Sequence, residues 1–138
     1  MWVTLFFLFG TPQTTMVPVA AGESLAVTVA GAGDPIVLIP GLLGSGYAYR
    51  TLAPLLNQAG YQTFVIEPLG VGSSSRPRDA DYSLYAQAAR LAATLDSLRV
   101  GPVYLLGHAV GSAIALRLAY RRPDLVRGVI SLEGGAAE

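Results

Sequence analysis

Cysteine is absent from the 138 residues, which excludes disulfides, thiolate catalysis and cysteine-ligated metal sites and leaves the redox compartment open. Lysine is absent too. All nine basic residues are Arg, scattered from Arg50 to Arg127 with Arg121 and Arg122 as the one adjacent pair, and nine acidic residues balance them. A patch of one sign, of the kind that holds nucleic acid, is therefore missing. The single His, His108, cannot assemble a metal site by itself, and neither a metal nor another cofactor is expected. Charge is scarce at 13% against 52% hydrophobic residues, a balance that disfavours disorder and suits a sheet covered on both faces. A chain of this length supports one core, burying roughly 68 to 70% of the surface its unfolded form exposes.

Long hydrophobic runs are lacking as well. The apolar run at residues 2–9 falls short of the roughly 20 residues a membrane-spanning helix needs, so no stable span is expected. It has the length of a secretory apolar segment, and Val19-Ala20-Ala21 supplies small residues at a plausible cleavage site ahead of the first charge, Glu23. No Lys or Arg precedes the run, which counts against export. A signal peptide, an N-terminal strand and a misplaced start all remain open for residues 1–22, and with them an exported or a cytoplasmic location. Residues 23–138 form the domain proper.

From Glu23 onward, β-rich runs alternate with helical patterns, without repeats or Pro/Gly-rich linkers, which signals a mostly parallel sheet in an α/β/α sandwich. The expected strands are 25–29, 36–39, 63–66, 103–106 and 129–132. Leu52, Leu55, Leu56 and Ala59 share one face of a helix ending at Gly60. Leu84, Ala88, Leu91, Leu95 and Leu98 share a face of a second helix, capped by Ser83. A third helix, from Val110 to about Tyr120, is apolar on nearly every side and is expected to be the most buried. Ligand sites in such sheets lie beyond the carboxyl ends of the strands, where three Gly-rich segments fall: 40–46, 68–75 and 107–111.

The segment Leu105-Leu106-Gly107-His108-Ala109-Val110-Gly111 runs from an apolar strand straight into the third helix. A turn that tight strains its central residue, and Gly on both sides removes the Cβ atoms that would clash. The central side chain then stands over a helix N-terminus, where amides and the helix dipole stabilise negative charge.

This segment resembles the G-x-S-x-G nucleophile elbow of the α/β-hydrolase family. Residues 35–44 resemble that family's strand and oxyanion loop, with Pro40-Gly41 where many members have His-Gly. Glu67-Pro-Leu-Gly-Val-Gly-Ser-Ser74 resembles its D-x-x-G-x-G-x-S segment. The helix from Ser83 and the Arg121-Arg122-Pro123-Asp124-Leu125-Val126 turn also fit, and the resemblance covers about residues 24–135.

The resemblance implies that Ala109 occupies the nucleophile position and that the amides of Leu42 and Val110 form an oxyanion hole. A methyl group neither attacks a carbonyl nor bonds a base, and losing a triad nucleophile costs on the order of 10⁶ in turnover. As written, the chain is expected to be inactive. Ser112 lies a full turn into the helix and reads as a packing residue. His108 sits where the family often has a non-catalytic His; the family's catalytic His comes from a late loop beyond these residues. Glu133 follows the last strand, where members resembling haloalkane dehalogenases take their triad acid. Asp34, Asp96 and Asp124 read as turn or helix-surface residues. The expected parent is a serine hydrolase acting on small carboxylic esters through an acyl-enzyme. Epoxide hydrolase, lactonase and haloperoxidase-type activities, and a non-catalytic binding protein, are the alternatives. The fold is expected to be C-terminally incomplete, with its last strand an apolar, aggregation-prone edge. Oligomeric state is left open.

Overall fold

The computed structural model describes residues 11–134. They form strands β1 (Gln13–Ala20), β2 (Glu23–Ala30), β3 (Asp34–Ile39), β4 (Tyr61–Ile66), β5 (Val103–His108) and β6 (Val126–Leu132), and helices α1 (Leu52–Gln58), α2 (Leu84–Leu98) and α3 (Val110–Arg121). The six strands make one sheet in the order β1-β2-β4-β3-β5-β6. The pairs β3/β4, β3/β5 and β5/β6 are parallel, whereas β1/β2 and β2/β4 are antiparallel. The five expected strands all form, each a few residues longer than its apolar run. Among the described residues no helix is long and apolar enough to cross a membrane.

Parallel strands linked by helices present both faces to packing, and here the two faces are unequal. On one, Val37, Ile39, Phe64, Ile66, Val103 and Leu105 meet Leu91 and Leu95 of α2 and Ile114 and Leu118 of α3 in a continuous core. On the other, Ile36, Leu38, Val65 and Leu106 pack with Tyr49, and α1 covers them through Leu52, Ala53 and Leu56. Leu55 departs from the expected stripe and is exposed, because this short helix lies on the sheet through positions 52, 53 and 56. The helix from Val110 has the largest buried share of the three, six of its twelve residues against seven of fifteen in α2 and none in α1, though its lead over α2 is slight. Tyr120 and Arg121 face solvent, so one side of α3 is wet despite its apolar composition.

The N-terminal part of the sheet is a ribbon. β1 runs back along β2, and Thr14 and Thr28 hydroxyls bond across it at 2.8 Å. Pro18 is accommodated because β1 is an edge strand, where a missing N–H need not cost a ladder bond. β1 occupies much of the stretch set apart as a signal peptide or extension, while residues 1–10 lie outside the described residues. Ser83 caps α2 by accepting from Ala86 N at 3.2 Å. Arg122 clamps Asp96 of α2 (2.8 Å) to Asp124 (2.9 Å), and its guanidinium holds both carboxyls below their usual range. Asp34 is the exposed first residue of β3.

Candidate active site

The three Gly-rich segments meet at the carboxyl ends of β3, β4 and β5. At the end of β5 the chain passes into α3 through Ala109, whose φ of 53° and ψ of −121° lie in a region that favours glycine. Two flanking glycines make the turn possible. A Cβ on Gly107 would collide with the Gly111 carbonyl, and one on Gly111 would run into the Ile39 carbonyl at the end of β3. Ala109 N donates to Leu132 O of β6 at 3.0 Å, and Ala109 O accepts from Ser112 N at 2.9 Å. The elbow is thus tied to both neighbouring strands and to the first turn of its own helix.

The loop after β3 closes over the elbow. A Cβ at Gly41 would stand 3.4 Å from His108 O and 3.5 Å from Ala109 Cβ, so Gly41 is in contact range of the tip. Leu42 follows, with its side chain exposed. A turn bond from Gly44 N to Gly41 O at 3.0 Å shapes the loop. Val110 is the first residue of α3, and the first amides of a helix have no partner within it.

The third segment is fastened by a carboxylate. Glu67, only 7% exposed, accepts from Gly46 N at 3.0 Å and from Ser73 N at 3.3 Å. It therefore joins the loop after β3 to the loop after β4. Gly72, with φ +55°, lies against this carboxylate, and a Cβ there would overlap it. Ser74 Oγ completes the arrangement by donating to Glu67 O at 2.6 Å and accepting from Ala26 N at 2.8 Å. A polar hollow of about 260 Å³ opens beside Glu67, lined also by Thr28, Ser45 and Tyr47. Buried Tyr49 donates its hydroxyl to Ile39 O at 2.7 Å, bracing β3 just before the loop, and burial pushes its phenol up to about 12.

Glu133 follows β6, also in a left-handed conformation with φ 51°. Its carboxylate reaches His108, with Nε2 and Oε2 3.2 Å apart. Ser112 is fully buried and donates to Gly107 O at 2.6 Å, a packing and bracing role. The sequence-predicted residues Ala109, Val110 and Glu133 are therefore brought together, and Leu42 lies one residue beyond the Gly41 contact. Glu67 and Tyr49 had no role assigned from sequence. An acidic residue directly after an apolar strand and before Gly-Val-Gly was the available signal for Glu67; nothing in the sequence marks Tyr49.

A sequence profile of the alpha/beta hydrolase fold matches residues 34–137. RutD of Klebsiella pneumoniae (strain 342), provisionally named a carbamate hydrolase, is 32% identical over 102 residues, 74% of this chain and 38% of that protein. An epoxide hydrolase of Caballeronia sordidicola is 33% identical over 112 residues, 80% of this chain and 34% of that protein. The crystal structure of the haloalkane dehalogenase DatA from Agrobacterium tumefaciens C58 superposes with a TM-score of 0.79 at 32% identity, covering 89% of this chain and 41% of the dehalogenase. The chain thus spans roughly 34 to 41% of the length of these relatives. The matched profile, the parallel sheet and the strand-turn-helix at Ala109 agree, and the chain belongs to the α/β-hydrolase fold family.

Proposed function

We propose that this carboxyl edge is the site of a hydrolase for small ester-like substrates, with Ala109 at the nucleophile position. In this reading the amides of Leu42 and Val110 receive the developing oxyanion, and Glu133 is the acid that orients a base. The observation that supports it most is the backbone of Ala109, held at φ 53° between two glycines that admit no side chain. A turn built at that conformational cost lifts one side chain over a helix N-terminus, where negative charge is stabilised. Alanine leaves the position without a lone pair, so no acyl-enzyme forms as the chain stands.

The test is Ala109→Ser in the full-length protein, assayed with a short-chain chromogenic ester. The expected result is a burst of chromophore equal to the enzyme concentration, followed by turnover above that of the Ala109 protein. A folded Ala109→Ser protein with neither would overturn the reading.

The epoxide hydrolase and haloalkane dehalogenase relatives favour a second reading, attack at a saturated carbon. A serine there would leave an ether that water does not readily cleave, whereas a carboxylate leaves a hydrolysable ester. Under that reading Ala109→Asp, not Ala109→Ser, creates turnover, and on an epoxide or a halide. The methyl of Ala109 itself favours a third, a ligand-binding protein on the same fold, for which neither variant turns over although the small molecule still binds.

A further inference from the structure

We propose that His108 and Glu133 form a catalytic dyad that activates water directly, giving the Ala109 protein a hydrolytic activity that needs no covalent nucleophile. The proposal rests on reading the carboxyl edge as a hydrolase site, but not on any nucleophile at position 109.

His108 is the only imidazole in the chain, and it immediately precedes the elbow tip. Its Nε2 lies 3.2 Å from Glu133 Oε2. With Nε2 protonated and donating to the carboxylate, the lone pair remains on Nδ1. That nitrogen faces the loop after β3, 3.7 Å from where a Gly41 Cβ would stand, on the same side as the Ala109 methyl at 3.5 Å. The base and the small side chain therefore converge on Gly41, at the start of the loop carrying Leu42, where the glycine leaves a hydrogen in place of a side chain.

The way Glu133 is held points the same way. Leu132 O accepts from Ala109 N at 3.0 Å on one side. On the other, Gly134 is packed so closely on Ser112 and the Ala109 carbonyl that a Cβ there would fall 2.7 Å from Ser112 Oγ and 2.8 Å from Ala109 O. Between these anchors Glu133 adopts a left-handed backbone that costs of order 1 kcal/mol or more for a non-glycine residue. Its pair with His108 is solvent-exposed, at 45% and 85% for the two side chains, and such pairs add little stability. The turn, closed by Ser131 Oγ donating to Gly134 O at 2.6 Å, aims the Glu133 carboxylate at the imidazole.

The step balances without a co-reactant. A water held at His108 Nδ1 attacks the acyl carbon, forming the new C–O bond while Nδ1 takes the water proton. The carbonyl electrons move onto oxygen, towards the Leu42 and Val110 amides. Collapse breaks the bond to the alkoxy group, which takes the proton back from Nδ1, leaving acid and alcohol. Glu133 orients the ring and stabilises the imidazolium that forms in between.

The experiment uses the full-length Ala109 protein and p-nitrophenyl acetate. Expected are hydrolysis above buffer without a burst, a rate loss of about 10²-fold or more in His108→Gln, a smaller loss in Glu133→Gln, and partial recovery of His108→Ala by added imidazole beyond the rate the same imidazole gives without protein. Glutamine keeps a donor for Glu133, and thermal melts of both His108 variants confirm folding. No rate above buffer, an unchanged rate in His108→Gln, or a folded His108→Ala protein that imidazole does not rescue would each overturn the dyad. A burst in Ala109→Ser together with an unchanged His108→Gln rate leaves the acyl-enzyme reading standing alone. Dependence on His108 with no gain in Ala109→Ser leaves the dyad standing alone.

Discussion

At the end of β5 the chain is held in place by shape; at the end of β4 it is held by charge. The elbow carries no polar side chain at its tip, and its form depends on backbone atoms packed too tightly for a Cβ at Gly107 or Gly111. The loop after β4 is organised by one buried carboxylate that accepts two backbone amides from different loops. The lesson is that the two turns tolerate opposite changes. The elbow admits no Cβ two residues to either side of its centre, whereas the other loop depends on the chemistry of a single side chain. Both devices position the segment 41–46, the elbow through Gly41 and the carboxylate through Gly46.

Gly111→Ala gives the largest expected effect. Its new Cβ would overlap the Ile39 carbonyl and stand 3.0 Å from the Pro40 carbonyl, all backbone, so β3 and α3 must move apart. The expected loss is on the order of 3 kcal/mol, read as a lower denaturant midpoint, with the contact between Gly41 and Ala109 disturbed as well. A variant as stable as the parent would show that the elbow is not held by close packing.

Glu67→Ala comes next. It leaves the Gly46 and Ser73 amides without their acceptor at the edge of the hollow, where Gly46 is half-buried and Ser73 exposed. Water replaces part of what is lost, so the expected cost is about 1 kcal/mol, at the low end for an orphaned donor. Hydrogen exchange at Gly46 and Ser73 should accelerate, while exchange at Ser112, in the elbow, stays near its original rate. Equal acceleration at both turns would erase the distinction between them.

How much of this was legible in the sequence follows the same division. Continuous apolar runs such as 36–39 and 103–106 announced buried strands, because burial on both faces leaves no room for polar alternation. The elbow was legible because steric demand writes itself as Gly at fixed spacing around Ala109. β1 was not, since Gln13–Ala20 mixes small, polar and apolar residues at a sheet edge, where nothing forces a distinctive pattern. The reach of Glu67 to Gly46 and of Glu133 to His108 was also hidden. The first spans 21 residues of sequence and the second depends on the β5/β6 register that sets His108 against Leu132. Sterics is local and leaves a mark in composition; a carboxylate meeting a distant partner leaves one only in three dimensions.

The last effect expected is a gain. Ala109 sits at φ 53° and ψ −121° with its methyl beside Gly41, and an alanine held in a glycine-favouring region stores of order 1 to 3 kcal/mol. Ala109→Gly releases that strain but gives the unfolded chain more freedom, a term of about 0.4 to 1 kcal/mol in the opposite direction. The net expectation is a stabilisation of about 1 kcal/mol, measured as a higher denaturant midpoint at unchanged slope. A loss of stability instead would mean that the methyl packing against the loop after β3 outweighs the backbone strain. In that case the tip of the elbow would itself be part of what holds residues 41–46, and the contrast between a turn held by shape and one held by a side chain would fail at the one position where a side chain is on display.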